Sequence, residues 1–213
     1  MRPPSHPALC ACITATSVTP VGLRVVSPLG RARPDDGAAS SRTTAGQGGV
    51  RKDLGAHPVE HMELHMYGRR IRMPRWQAIF GADYHFSGAQ HAATPVPEML
   101  DPLWQWVRSA IEPRVNGIVV NWYDVLLGHY IGKHRDSTKN MIGGAPIIMI
   151  SFGQARTLRM RPWRRAGRSI DFAVSNGNIV VLPYDVNLAW THEILPSVHL
   201  EGRRVSVTFR AFH

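Results

Sequence analysis

After Pro113 the chain carries five short apolar, β-branched runs: Gly117 to Val125, Ala145 to Phe152, Thr157 to Met160, Asn178 to Leu182 and Val205 to Phe209. Each is parted from the next by Gly, Pro, Asn or Asp, and runs this short with this punctuation read as strands rather than helices. Ahead of them, residues 97–113 place Leu103, Val107 and Ile111 at i, i+4 and i+8. That spacing predicts an amphipathic helix, with Asp101 as its cap and Pro102 at its first position. One helix followed by short strands predicts an α+β, mostly β fold, a β-barrel or jelly roll under an N-terminal cap.

The strands do not account for the whole chain. No Phe, Trp or Tyr precedes Tyr67, and residues 27–50 are rich in Gly, Ala, Ser and Arg. Such a stretch buries too little apolar surface to offset its chain entropy, so residues 1–61 are expected to be a disordered tail and 62–213 the folded domain. Residues 1–34 hold four arginines and no acidic residue, the composition of an organelle transit peptide. An over-called start, with Met62 or Met66 nearer the true beginning, gives the same picture.

With 213 residues the chain has room for one catalytic domain that folds without disulfides, and its two cysteines, Cys10 and Cys12, lie together near the N-terminus. A reducing compartment is compatible, and the expected location is intracellular: cytoplasmic or nuclear, or an organelle if the N-terminus is a transit peptide. No apolar run approaches the roughly 18 residues of a membrane span, so no membrane partner is expected, and a monomer is. The formal charge is +10, of which residues 67–213 carry +8. An excess of that size makes a polyanion a plausible partner.

Two motifs carry chemistry. In Tyr130-Ile131-Gly132-Lys133-His134-Arg135-Asp136, His134 and Asp136 are two apart, which on a strand puts both on one face, and His192 follows in Trp190-Thr191-His192-Glu193. Two imidazoles and one carboxylate make a facial triad that leaves positions open for a co-substrate and dioxygen. Because the chain has 11 histidines, a solvated turn is the usual explanation of a lone His-x-Asp. The second motif is Gly202 to Arg210, where Val205, Val207 and Phe209 alternate with Arg204, Ser206, Thr208 and Arg210. Either this is an ordinary strand with a wet face, or its two arginines look into a barrel and need an anion, which a dicarboxylate such as 2-oxoglutarate would supply.

These residues resemble the AlkB family of Fe(II)/2-oxoglutarate-dependent dioxygenases. The pieces, in order, are Pro74-Arg75-Trp76-Gln77, Tyr84-His85-Phe86-Ser87-Gly88, Asn121-Trp122-Tyr123, His134-Arg135-Asp136, Pro146-Ile147-Ile148 with Ser151-Phe152-Gly153, Thr191-His192-Glu193, and Arg204 to Arg210. Together they cover roughly Tyr67 to His213. The resemblance implies a double-stranded β-helix core with a helical and hairpin cap, and Fe(II) held by His134, Asp136 and His192. It also implies that Arg204 takes the distal carboxylate of 2-oxoglutarate with help from Tyr123, while Arg210 and Asn121 sit near the metal-chelating end. A nucleobase would pack between His134 and an aromatic of the cap, for which Tyr84 and Phe86 are the candidates, with Arg75 a further substrate contact. Tyr-x-Phe equally suits an ordinary strand, and Arg75 the surface. Three departures stand out: Ser137, Thr138 and Lys139 where many relatives have acids, Ser206 where the family often has Asn, and a longer stretch around Leu127 and Gly128.

The activity implied is oxidative demethylation of N-alkylated bases in DNA or RNA, with 2-oxoglutarate and O2 as co-substrates and formaldehyde, succinate and CO2 as products. Rival readings are a 2-oxoglutarate hydroxylase or demethylase of a protein or small molecule, and a catalytically silent nucleic-acid-binding module. Zinc hydrolysis also fits two His and a carboxylate, but leaves the Arg204 and Arg210 face unexplained.

Overall fold

Alternation in one strand sorts the molecule into two cores. The structure, a computed structural model, describes residues 13–18, 24–28, 54, 56–66, 68–164, 166–197 and 202–213. Strand β15 (Arg203–Arg210) lies inside a seven-stranded antiparallel sheet of order β1-β2-β13-β10-β15-β8-β5. Its neighbours are β10 (Ile147–Gly153) and β8 (Gly117–Asp124), with β13 (Ile179–Leu182), β2 (Arg24–Pro28) and β1 (Ile13–Val18) on one side and β5 (Trp76–Phe80) on the other. A second sheet, of order β12-β11-β14-β9, comprises Ile170–Val174, Arg156–Pro162, Trp190–Ile194 and Ile131–His134.

One face of the large sheet packs on α1 (Asp101–Ala110), where Leu103 and Val107 meet Ile118, Val120, Ile148, Val207 and Phe209. The other face packs against the small sheet, so that Val119, Ile147, Val180 and Leu182 meet Leu158, Met160 and Ile194. Because side chains alternate along a strand, apolar residues of β15 go to the helix and its polar ones to the space between the sheets. This is the double-stranded β-helix expected from the sequence. Two hairpins, β3–β4 (Glu63–Met66 and Arg69–Arg72) and β6–β7 (Tyr84–Phe86 and Ala89–His91), add the cap. No helix among the described residues is long and apolar enough to cross a membrane.

The structure departs from the sequence reading in one place. Asp101 does not cap α1: a 3-10 turn, Glu98–Leu100, runs straight into it, so Leu100 holds the cap position in helical geometry with no side-chain cap bond. Asp101 sits instead in the first turn, where its charge suits the helix dipole. Of residues 1–61, the expected tail, the structure describes 13–18, 24–28, 54 and 56–61. β1 and β2 form a hairpin there, and β2 adds to β13 through the pairs Ile179↔Val26 and Val180↔Val25. Leu54 is buried, and the Trp122 indole donates to its carbonyl at 2.7 Å. The physical reason is that β13 offers an open edge, and the β-branched residues of 13–18 and 24–26 suit a strand that completes it. Cys10, Cys12, Tyr67 and most of the candidate transit peptide lie outside the described residues.

Candidate metal and co-substrate site

β9 and β14 pair with His192 directly opposite His134, which brings the two imidazoles to the same end of the small sheet. β9 ends at His134, so Asp136 stands just beyond the strand rather than on it. Its position is fixed from α2 (Tyr184–Ala189): Asn187 accepts from the Asp136 N–H at 3.0 Å and donates to the Asp136 carbonyl at 3.1 Å. Asp136 Oδ1 thereby lies 3.5 Å from His134 Nε2 and 3.8 Å from His192 Nε2. The three ligand atoms fall within 4.8 Å of one another.

Hydrogen bonds orient His134 and Asp136 so that one atom of each faces the common centre, while His192 Nδ1 is buried without a partner. His134 Nδ1 donates to the Gly132 carbonyl at 2.8 Å, leaving the Nε2 lone pair free. Arg210 Nε and Nη2 both donate to Asp136 Oδ2, at 2.9 and 2.6 Å, leaving Oδ1 for the centre. Burial would raise the Asp136 pKa, but the Arg210 charge and the two histidines hold it well below the usual carboxylate range. Burial pushes His192 down to about 3, which keeps its imidazole neutral and able to ligate. Two imidazoles and a carboxylate suit a divalent iron.

At the far end of the same strand face, Arg204 is 1% exposed. Its Nη2 donates to Ser151 Oγ at 2.9 Å, and its guanidinium lies 5.0 Å from the centre of the Tyr123 ring. Nε and Nη1 are buried with no partner, and among the described residues no carboxylate pairs with it. A cation in that state is built to receive an anion from outside the chain. Ser206, Thr208 and Arg210 line the cavity at the metal ligands together with Tyr123 and Met149, the two residues against which Arg204 packs, and the Ser206 hydroxyl is buried without a partner. The residues thus fit a dicarboxylate that spans from Arg204 toward the metal ligands.

The remaining candidates fall into place unevenly. Asn121 lines this cavity and is held by Arg75, whose Nε donates to Asn121 Oδ1 at 2.8 Å and whose Nη2 donates to Gln77 at 3.0 Å. Arg75 is therefore buried, not a surface residue, and its fork is turned onto Asn121. Tyr84 is 5% exposed, with its ring against Phe86, Phe212 and Arg210 at 5.0, 5.5 and 4.6 Å. Phe86 is half-buried and stacks on His91 at 3.9 Å. The hairpin bearing both aromatics docks beside the metal ligands, through Asn140 to the Asp83 carbonyl at 3.0 Å and Lys139 beside His85 at 3.5 Å. A cleft of about 350 Å³ opens next to His134 and Asp136, bordered by Lys133, Arg135 and Trp163.

Asn187 was not picked out from sequence, and Ser151 only as part of a motif, with no role. Asn187 sits in a six-residue helix with no periodic signal. Ser151 was legible only as the cross-strand partner of Ser206, which needs the register.

With this geometry in hand, the chain belongs to the 2OG-Fe(II) oxygenase superfamily, whose sequence model matches residues 47–210. The AlkB-family membership expected from the motifs also holds. The chain is 26% identical over 157 residues to the human DNA oxidative demethylase ALKBH2, an alignment covering 69% of this chain and 60% of that protein. It is 27% identical over 158 residues to the mouse protein of the same name, covering 70% and 66%. To the rat alpha-ketoglutarate-dependent dioxygenase alkB homolog 3 it is 24% identical over 155 residues, covering 66% and 50%. The chain thus spans about 60% of the length of the human relative.

Proposed function

We propose that the protein is an Fe(II)/2-oxoglutarate-dependent dioxygenase that removes alkyl groups from N-alkylated nucleobases in DNA or RNA, releasing formaldehyde, succinate and CO2. The observation that carries the reading is the buried Arg204 cation, which has no carboxylate partner among the described residues and whose Nε and Nη1 are unsatisfied, on the strand face that ends at the His134, Asp136 and His192 cluster. Iron, with O2 as the oxidant and 2-oxoglutarate as the reducing co-substrate, would supply the redox chemistry that the chain's own side chains lack. His134 Nε2, Asp136 Oδ1 and His192 Nε2 would hold the metal, and Arg204 and Tyr123 the distal carboxylate.

The residues around this centre orient and exclude. Arg210 keeps Asp136 ionised and turned, and Arg75 fixes Asn121 so that its amide NH2, rather than its oxygen, is free for the cavity. Met160, Leu158 and Ile194 wall the cavity against water. The ALKBH2 relatives are DNA oxidative demethylases by name, and the +8 charge of residues 67–213 together with Lys133, Arg135 and Lys139 at the mouth suits a phosphate backbone. A base inside a duplex would have to be flipped out to reach the metal.

Purified protein supplied with Fe(II), 2-oxoglutarate and a methylated single-stranded oligonucleotide should release formaldehyde and succinate together, and His134→Ala should release neither. Succinate without formaldehyde would keep the oxygenase and redirect the search to a protein or small-molecule substrate. Absence of both products would overturn the reading.

A further inference from the structure

The parity that aims Arg204 between the sheets applies to a second arginine. β11 turns Arg156 inward along with Leu158 and Met160, and Arg156 is 4% exposed. Its Nη2 donates to the His129 carbonyl and its Nε to the Leu195 carbonyl at 3.3 Å, while Nη1 is buried without a partner. Its guanidinium carbon lies 5.8 Å from the Tyr123 ring centre, the same ring that Arg204 approaches to 5.0 Å. Two buried cations thus share one phenol, and among the described residues neither has a carboxylate partner. Burial first, and then the Arg204 charge, draw the Arg156 pKa down, with Tyr123 opposing.

Holding two carbonyls explains Nε and Nη2, but a neutral amide could do as much. It does not explain why a full charge is kept beside Arg204, where each cation raises the cost of the other. We infer that Arg156 is a second cationic determinant for the distal carboxylate of the co-substrate, so that Arg204 and Arg156 together select 2-oxo acids bearing a second negative charge. This rests on the co-substrate reading given above. The two carbonyls it holds lie just before β9 and just after β14, so the determinant is tied to both strands that carry metal-binding histidines.

Titration calorimetry on the Mn(II)-loaded full chain separates charge from clamp. Arg156→Gln loses the charge, Arg156→Lys keeps it, and Arg204→Gln serves as the reference. 2-Oxoglutarate and oxalate are the two probes, since oxalate chelates a metal but has no distal carboxylate. Arg156→Gln should weaken 2-oxoglutarate by about ten-fold, the scale of one charge-assisted contact, and leave oxalate unchanged. Arg156→Lys should bind 2-oxoglutarate within about three-fold of wild type.

Wild-type affinity in Arg156→Gln would overturn the inference. So would a loss in Arg156→Lys as large as in Arg156→Gln, or oxalate weakening in step with 2-oxoglutarate. If Arg156→Gln loses its cooperative melt, Arg156→Lys carries the decision alone: retained affinity supports the inference and a ten-fold loss overturns it. If Arg204→Gln itself binds 2-oxoglutarate like wild type, the co-substrate reading of the pocket fails and the assignment of Arg156 falls with it, whereas a loss in Arg204→Gln beside wild-type affinity in Arg156→Gln overturns the assignment of Arg156 alone.

Discussion

Arg204 and Arg210 lie six residues apart on the same face of β15, both buried, yet their surroundings are opposite. Arg210 spends two donors on Asp136 and is held above its ordinary pKa, since the Asp136 and Tyr84 contributions outweigh burial. Arg204 has a serine hydroxyl, a thioether and a phenol ring, and burial draws its pKa down. One end of the strand is finished within the chain, and the other is finished only by something the chain binds. A buried ion pair is costly to break because the survivor is left uncompensated, whereas an unpaired buried charge gives nothing to lose in the free protein. The comparison therefore separates residues that build the site from residues that wait for a ligand.

The largest expected effect breaks the finished end. Arg210→Met strands the Asp136 carboxylate and should destabilise the metal-free protein by about 3–5 kcal/mol in urea unfolding. A change under about 1 kcal/mol would mean that Asp136 is solvated or protonated in the folded state. At the other end, Arg204→Met should leave metal-free stability unchanged or higher while weakening 2-oxoglutarate binding on the order of 100-fold. Loss of stability on the scale of Arg210→Met would erase the contrast.

A smaller effect sharpens the finished end. Asn187→Ala removes both hydrogen bonds to the Asp136 backbone and should lower metal affinity by about 10–100-fold, read by competition with a chromophoric chelator. The smallest concerns His129, whose carbonyl Arg156 holds and whose Nδ1 accepts from the Asp124 N–H at 3.1 Å. Burial, then His61, pushes its pKa down to about 4. Its contribution is present above the unfolded value of about 6.5 and fades as pH falls toward 4. His129→Gln should flatten that part of the stability profile, and an unchanged slope between pH 6.5 and 4 would assign it to other groups.

How much of this was legible depends on the period of each segment. β15 alternates, so the shared face of Arg204 and Arg210 followed from counting by two, whereas β8 is buried along its whole length and Asn121 and Tyr123 came only through the family resemblance. His134, Asp136 and His192 were legible as residue types, but their meeting required the pairing of β9 with β14, which Gly132 and Lys133 conceal by lacking any apolar alternation. Arg156 carried the same signal as Arg204, an arginine in register with Leu158 and Met160, yet a window beginning at Thr157 missed it. β1 and β2 hold β-branched residues among Ser, Thr and Ala, too short a signal to read as strands without the edge of β13 on which β2 pairs. The Asp101 cap failed because the turn before it was already helical.

The account's central claim is that Arg204 and the His134, Asp136 and His192 cluster are two ends of one ligand-completed site. Anaerobic titration of the Fe(II)-loaded protein with 2-oxoglutarate, followed by the visible charge-transfer absorption of the chelate, tests it most directly. The band should saturate at low 2-oxoglutarate in the wild type, require on the order of 100-fold more in Arg204→Met, and be absent in His134→Ala. A band that saturates identically in wild type and Arg204→Met, or persists in His134→Ala, would contradict it.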